Sequence, residues 1–185
     1  MKVLVSGASG LVGSALRPFL SAGGHRVSRL VRTGTPAERA ERVDGIDQVF
    51  WAPDSGNIDQ AGLEGLDAVV HLAGENIVAG RWTPELKRRI HDSRANGTRV
   101  LSEALAKCAQ PPKVLVSASA IGYYGDRSDE VLTEESGLGT GFLAAVCRDW
   151  EAAVEPATRK GIRTVLLRIG VVLSTEGGAL KRMLL

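Results

Sequence analysis

Three glycines at a spacing of three, Gly7, Gly10 and Gly13, follow directly on the short, largely apolar run Lys2 to Ser6, which reads as a strand. They lead into a stretch where Leu11, Ala15, Leu16 and Phe19 recur at helical intervals. A short buried strand that stops in glycine and restarts as a helix is the opening of a βαβ unit. Gly7 permits the tight turn, Gly10 lets a bulky anion approach the backbone, and Gly13 lets the helix lie close on the sheet. The free N–H groups at the helix start then face negative charge. Gly7, Ser9, Gly10, Leu11, Val12 and Gly13 are therefore candidate contacts for the pyrophosphate of a dinucleotide.

The same alternation continues along the chain. His25 to Arg32 reads as a second strand after Gly23-Gly24, and Gln48 to Trp51 as a short third. Asp67 to Leu72 is an almost unbroken apolar run, as a parallel strand covered on both faces requires. Lys113 to Ala118 and Arg163 to Ile169 follow as further buried strands. Between them, Thr33 to Arg42 reads as a surface loop with a weak helix, Pro53 to Gly56 as a turn, and Ile58 to Leu66 as a short helix. The pair Thr83-Pro84 opens the longest helix, which runs to Ala109 before Pro111-Pro112, and Gly141 to Arg159 forms another. Pro18 predicts a kink or an early weakening in the first helix. Six strands alternating with helices predict an α/β fold: a doubly wound parallel sheet of the Rossmann kind, in the order 3-2-1-4-5-6. Residues 1–172 are expected to form this domain, and 173–185 to begin a further C-terminal part. The apolar end Met183-Leu184-Leu185, with no cap or polar tail, predicts truncation there.

Composition removes several function classes. The chain has 185 residues, 44% hydrophobic, and a net charge of +2 with basic and acidic residues interspersed, which does not point to nucleic acid. No stretch approaches the roughly 18–20 apolar residues of a membrane span. The two cysteines, Cys108 and Cys147, lie in helical segments without metal-ligand spacing, so no metal is expected, and a reduced, cytoplasmic setting fits them. Oligomeric state stays open.

The end of the second strand selects the nucleotide. An NAD site places a carboxylate there for the ribose hydroxyls, whereas this chain has Val31-Arg32-Thr33. A guanidinium binds a 2′-phosphate through charge-assisted hydrogen bonds, so NADP(H) is the expected cofactor.

The glycine turn, His71 to Ile77, Arg81-Trp82, Ser93-Arg94, Ser117 to Gly125 and Trp150-Glu151 together resemble the extended and atypical short-chain dehydrogenases/reductases, in particular the epimerase family group. Members run longer, which implies a C-terminal substrate domain. The resemblance implies cofactor contacts at Leu72, Ala73, Gly74 and Glu75, with Asn76 following into the cleft, and at Ser117 and Val171. Arg94 has two readings: a cofactor contact, or an exposed charge paired with Glu103 or Asp92. Family enzymes carry a serine at the end of the fifth strand and a Tyr-x-x-x-Lys pair on the next helix, where lysine lowers the tyrosine pKa. Ser119 matches the serine, but alignment on Glu151 puts Leu143 and Cys147 in the places of tyrosine and lysine. Tyr123 and Tyr124 are candidate proton donors or loop anchors. Cys147, beside Arg148, reads as a low-pKa thiol or a buried helix cysteine. Trp82 and Trp150 read as packing residues. Two functions remain: an NADP(H)-dependent oxidoreductase or epimerase-like enzyme acting on a small carbonyl or sugar-like substrate, with Ser119 polarising its oxygen, and a non-catalytic NADP(H)-binding sensor or scaffold.

Overall fold

The computed structural model describes residues 1–33, 47–78 and 80–184. Its regular elements are β1 (Lys2–Ser6), α1 (Leu11–Ala22), β2 (Arg26–Arg32), β3 (Gln48–Ala52), β4 (Asn57–Ile58) and β5 (Ala68–His71), followed by α2 (Pro84–Lys107) and β6 (Val114–Ala120). The chain then forms α3 (Phe142–Ala152), α4 (Glu155–Arg159), β7 (Arg163–Ile169), β8 (Leu173–Ser174) and α5 (Gly178–Met183). The main sheet runs β4-β3-β2-β1-β5-β6-β7. Every neighbouring pair is parallel except β3–β4. The loop and weak helix expected from Thr33 to Arg42 lie, beyond Thr33, outside the described residues.

Alternation along the strands divides the core into two layers. Val3 and Val5 pack with Val27, Val70 and Leu20 of α1 on one face. Leu4, Leu30, Val49, Val69 and Leu115 point to the other, onto Leu101, Ala104 and Leu105 of α2 and Ala157 of α4. Each such side chain contributes roughly 1.5–3 kcal/mol on burial, so a slip by one residue, which exchanges the faces, is strongly disfavoured. Helix α2 starts as expected: the Thr83 hydroxyl accepts the Leu86 N–H at 3.3 Å, and Pro84 occupies the first turn.

Four expectations need correction. Among the described residues the sheet has seven strands rather than six, because Asn57–Ile58 folds back antiparallel on Trp51 and Ala52. Gly56, left-handed at φ 70°, closes that turn, so the helix expected from Ile58 to Leu66 shrinks to a single 3₁₀ turn at Ala61–Leu63. The helix expected from Gly141 to Arg159 is two helices, since Pro156 has no N–H to continue α3 and sits instead in the first turn of α4. Helix α1 runs through Pro18 to Ala22, so the early weakening expected at Pro18 does not occur.

Candidate functional site

The turn between β1 and α1 is made of backbone pressed on backbone. Gly7 has φ +63°, and a Cβ on it would stand 2.7 Å from the Leu72 carbonyl carbon and 2.9 Å from the Ala73 nitrogen. The Gly10 N–H donates to the Gly7 carbonyl at 3.0 Å. A Cβ on Gly13 would lie 2.3 Å from the same carbonyl oxygen. Helix α1 starts at Leu11 with no side chain among the described residues capping its first N–H groups, which leaves donors that suit an anion.

Beside the turn lies a cleft of about 410 Å³. Gly7, Ala8, Ser9 and Gly10 form one wall, Leu72 to Glu75 another, and Arg29 to Arg32 with Trp51 a third. Three sequence segments predicted separately, the glycine turn, the end of the second strand and Leu72–Glu75, thus meet in one place. Gly13 is buried behind the turn, and Leu11 packs toward the far end of the chain, where a Cβ on Gly177 would meet its Cδ1 at 3.2 Å. Arg32 is exposed at the rim, and the N–H of buried Thr33 donates to the Trp51 carbonyl. Sequence reasoning missed Arg29, which lies on β2 itself, and Trp51, which enters this wall because β3 pairs with β2 and brings it beside Arg32.

Arg94 is half-buried on α2, its guanidinium against Gly74: a Cβ on that glycine would be 3.2 Å from Arg94 Cζ. The Trp150 ring lies 5.1 Å away on another side, and Nη1 donates to the Ile90 carbonyl at 3.1 Å. Burial pulls its pKa down from the usual arginine value. The alternative of an exposed charge paired with Asp92 or Glu103 does not hold: Asp92 instead bonds His91, and no carboxylate among the described residues forms an ion pair with Arg94. Trp150 is a packing residue, as expected, although one that also faces this cation.

A second cluster lies at the carboxyl end of β6. Ser119 Oγ donates to Glu151 Oε1 at 2.6 Å. Arg168 of β7 donates to both oxygens of the same carboxylate, from Nε and Nη2 at 2.9 Å each, and from Nη1 to the Tyr124 hydroxyl at 3.0 Å and the Glu134 carbonyl at 3.1 Å. The hydrogen bonds to Glu151 push the Arg168 pKa above its ordinary value. The Arg168 guanidinium also lies over the Tyr123 ring, its Cζ 3.5 Å from the ring centre. Tyr124 is buried and tied by its hydroxyl, the behaviour of an anchor, whereas the half-buried Tyr123 makes no side-chain hydrogen bond among the described residues. The Ser119 proton is thus directed at the Glu151 carboxylate. Sequence reasoning missed Arg168, which reaches Ser119 through the β6–β7 register.

Leu143 and Cys147 project from α3 onto the turn that follows β6: a Cβ on Gly122 would meet Leu143 Cβ at 3.3 Å and Cys147 Sγ at 3.7 Å. Cys147 is buried, and burial pushes its thiol pKa up, so it is a buried helix cysteine and not a low-pKa thiol. Ser117 is fully buried with its hydroxyl donating to the Ala118 carbonyl, and Val171 is exposed past the end of β7; neither lines the cleft. Among the described residues no three His, Cys, Asp or Glu side chains are grouped to hold a metal, and no helix is long and apolar enough to cross a membrane.

Comparison with known proteins fits this geometry. The sequence pattern of the NAD dependent epimerase/dehydratase family matches residues 3–176. An epimerase family protein of Mycobacterium bovis is 46% identical over 181 residues, covering 98% of this chain and 57% of that protein. The chain thus spans little more than half the length of such curated relatives. A crystal structure of a nucleoside-diphosphate sugar epimerase from Corynebacterium glutamicum superposes with TM-score 0.81 at 42% identity, covering 99% of this chain and 36% of that one. The structure of human epimerase family protein SDR39U1 (isoform 2) with NADPH also gives 0.81, at 33% identity, over 100% of this chain and 58% of that one. The glycine turn, the cleft beside it and these matches together establish that the chain belongs to the NAD dependent epimerase/dehydratase family.

Proposed function

We propose that this chain binds NADP(H) in the cleft beside the glycine turn, and that the complete protein uses it on a small carbonyl or sugar-like substrate. One observation carries the reading: Arg32, with no carboxylate at positions 31–33, shares a cleft with Gly7–Gly10 and with Leu72–Glu75. The backbone N–H groups at the start of α1 would hold the pyrophosphate, Arg32 the 2′-phosphate, and Leu72–Gly74 would flank the ribose. The NADPH bound by human SDR39U1 supports the choice of nucleotide. Arg94, a half-buried cation against Gly74 with no ion-pair partner among the described residues, is suited to an anionic group of the cofactor. When bound, the nicotinamide supplies or accepts hydride. In this reading Tyr123 is the proton donor at the end of β6, with Arg168 stacked on its ring and Ser119 oriented by Glu151.

Arg32→Ala should weaken NADPH roughly tenfold or more, the worth of a lost charge-assisted contact, and leave NADH almost unchanged. Calorimetric titration with both nucleotides checks this, and equal losses would remove the 2′-phosphate assignment. Leu143 and Cys147, facing Gly122 where family enzymes carry the catalytic pair, favour a second reading as a non-catalytic NADP(H) sensor. The two separate on the full-length protein. An enzyme consumes NADPH with some member of a carbonyl panel, and a sensor binds it tightly without consuming it.

A further inference from the structure

Ser6 and His71 are fully buried, sit side by side in the β1–β5 register and belong to no group assigned above. Ser6 is the last residue of β1, immediately before Gly7, and His71 the last of β5, immediately before Leu72. Where β5 ends, the sheet no longer supplies partners for the following amides. Ser6 Oγ takes their place, accepting the N–H of Leu72 at 3.0 Å and of Ala73 at 3.2 Å. With two N–H groups on its oxygen, the hydroxyl must send its own proton elsewhere, and His71 Nδ1 lies 2.7 Å away. That contact makes Nδ1 the acceptor and puts the ring proton on Nε2, which has no hydrogen-bond partner among the described residues; the ring as a whole packs edge-to-face with Trp51, 5.8 Å between centres. Burial alone holds His71 neutral, with its pKa pushed down to about 4, so the acceptor persists at ordinary pH.

The hydroxyl therefore ties one wall of the cleft to the other. Leu72 and Ala73 form the wall that Gly7 touches, close enough that a single added carbon would collide. We propose that Ser6 and His71 act as a positioning dyad: His71 orients the Ser6 hydroxyl, which sets the spacing between the glycine turn and Leu72–Gly74 and so the affinity of the cleft for a dinucleotide. The proposal rests on the reading of that cleft as an NADP(H) site.

Amide hydrogen exchange at Leu72 and Ala73, together with NADPH titration, tests it on the parent protein and on Ser6→Ala, His71→Leu and His71→Asn. Ser6→Ala and His71→Leu should speed exchange at both amides and raise the NADPH Kd roughly tenfold, as expected for a lost buried hydrogen bond. Leucine fills about the volume of histidine but offers no acceptor, whereas the smaller asparagine leaves some space yet restores an acceptor, Oδ1, near Nδ1. His71→Asn should therefore return most of the affinity. If His71→Leu does not fold, Ser6→Ala, one atom smaller than the parent, still gives the comparison. Unchanged exchange in Ser6→Ala, faster exchange with unchanged affinity, or His71→Asn binding no better than His71→Leu would each overturn the dyad. A parent protein with protected amides and no NADPH binding would overturn the reading of the cleft, and the dyad's role in affinity with it.

Discussion

Valine in place of Gly13 should abolish NADPH binding, with affinity at least about 100-fold weaker, and should lower stability by more than the roughly 1–3 kcal/mol of an ordinary overpacked core site. A Cβ at this position would lie 2.3 Å from the Gly7 carbonyl oxygen and 2.8 Å from Ala8 Cα. Both obstacles are backbone of the turn that would hold the pyrophosphate, so no rotamer change relieves the clash. Helix α1 must move off β1, and its free N–H groups move with it. Gly137→Ala is the matched control, because a Cβ there meets nothing within 4 Å; its stability should stay within about 0.5 kcal/mol of the parent. Thermal unfolding and nucleotide titration of the two variants read both effects. A Gly13→Val protein that binds NADPH like the parent would refute the account of the turn.

The second large effect is expected at Arg168. Arg168→Leu should cost about 3–5 kcal/mol, the usual result of removing one partner from a largely buried ion pair. The Glu151 side chain is 10% exposed and that of Arg168 18%, so water cannot replace the lost charge easily. Both carboxylate oxygens would lose their guanidinium contacts, and the Tyr124 hydroxyl and Glu134 carbonyl would lose a donor. Arg168→Leu combined with Glu151→Leu should recover part of that loss, since no buried charge is then left unpaired. Urea unfolding of the two single variants and the double variant gives the coupling directly. A loss below about 1 kcal/mol in Arg168→Leu would place the pair among exposed salt bridges of little weight.

Much of the candidate site was legible because it is short-range. Gly7, Gly10 and Gly13 lie within seven residues, and their spacing between an apolar run and a helical repeat signals strand, bend and helix. Arg32 was legible as the residue ending a recognisable strand, and Thr83-Pro84 as a helix start needing nothing beyond its own segment. Chain direction after Gly56 was not legible in the same way: Asn57–Ile58 is too short to carry a period and becomes a strand only by pairing with Trp51 and Ala52. The break between α3 and α4 did have a local sign in Pro156, which the helical spacing across Gly141–Arg159 concealed.

The amino-acid sequence by itself determined a doubly wound α/β fold and a dinucleotide-type turn, because backbone sterics at glycine and the two-residue and 3.6-residue periods of apolar side chains act locally. Only the tertiary structure decided which way polar hydrogens point. Ser119 and Glu151 are 32 residues apart, Arg168 and Tyr124 are 44 apart, and Ser6 and His71 are 65 apart. Ser119 read as a free hydroxyl proves to be a donor to a carboxylate, and Ser6 read as the end of a strand proves to bridge two walls of a cleft. A hydroxyl can donate or accept in several directions, and its choice is made by whichever partner the fold brings within about 3 Å.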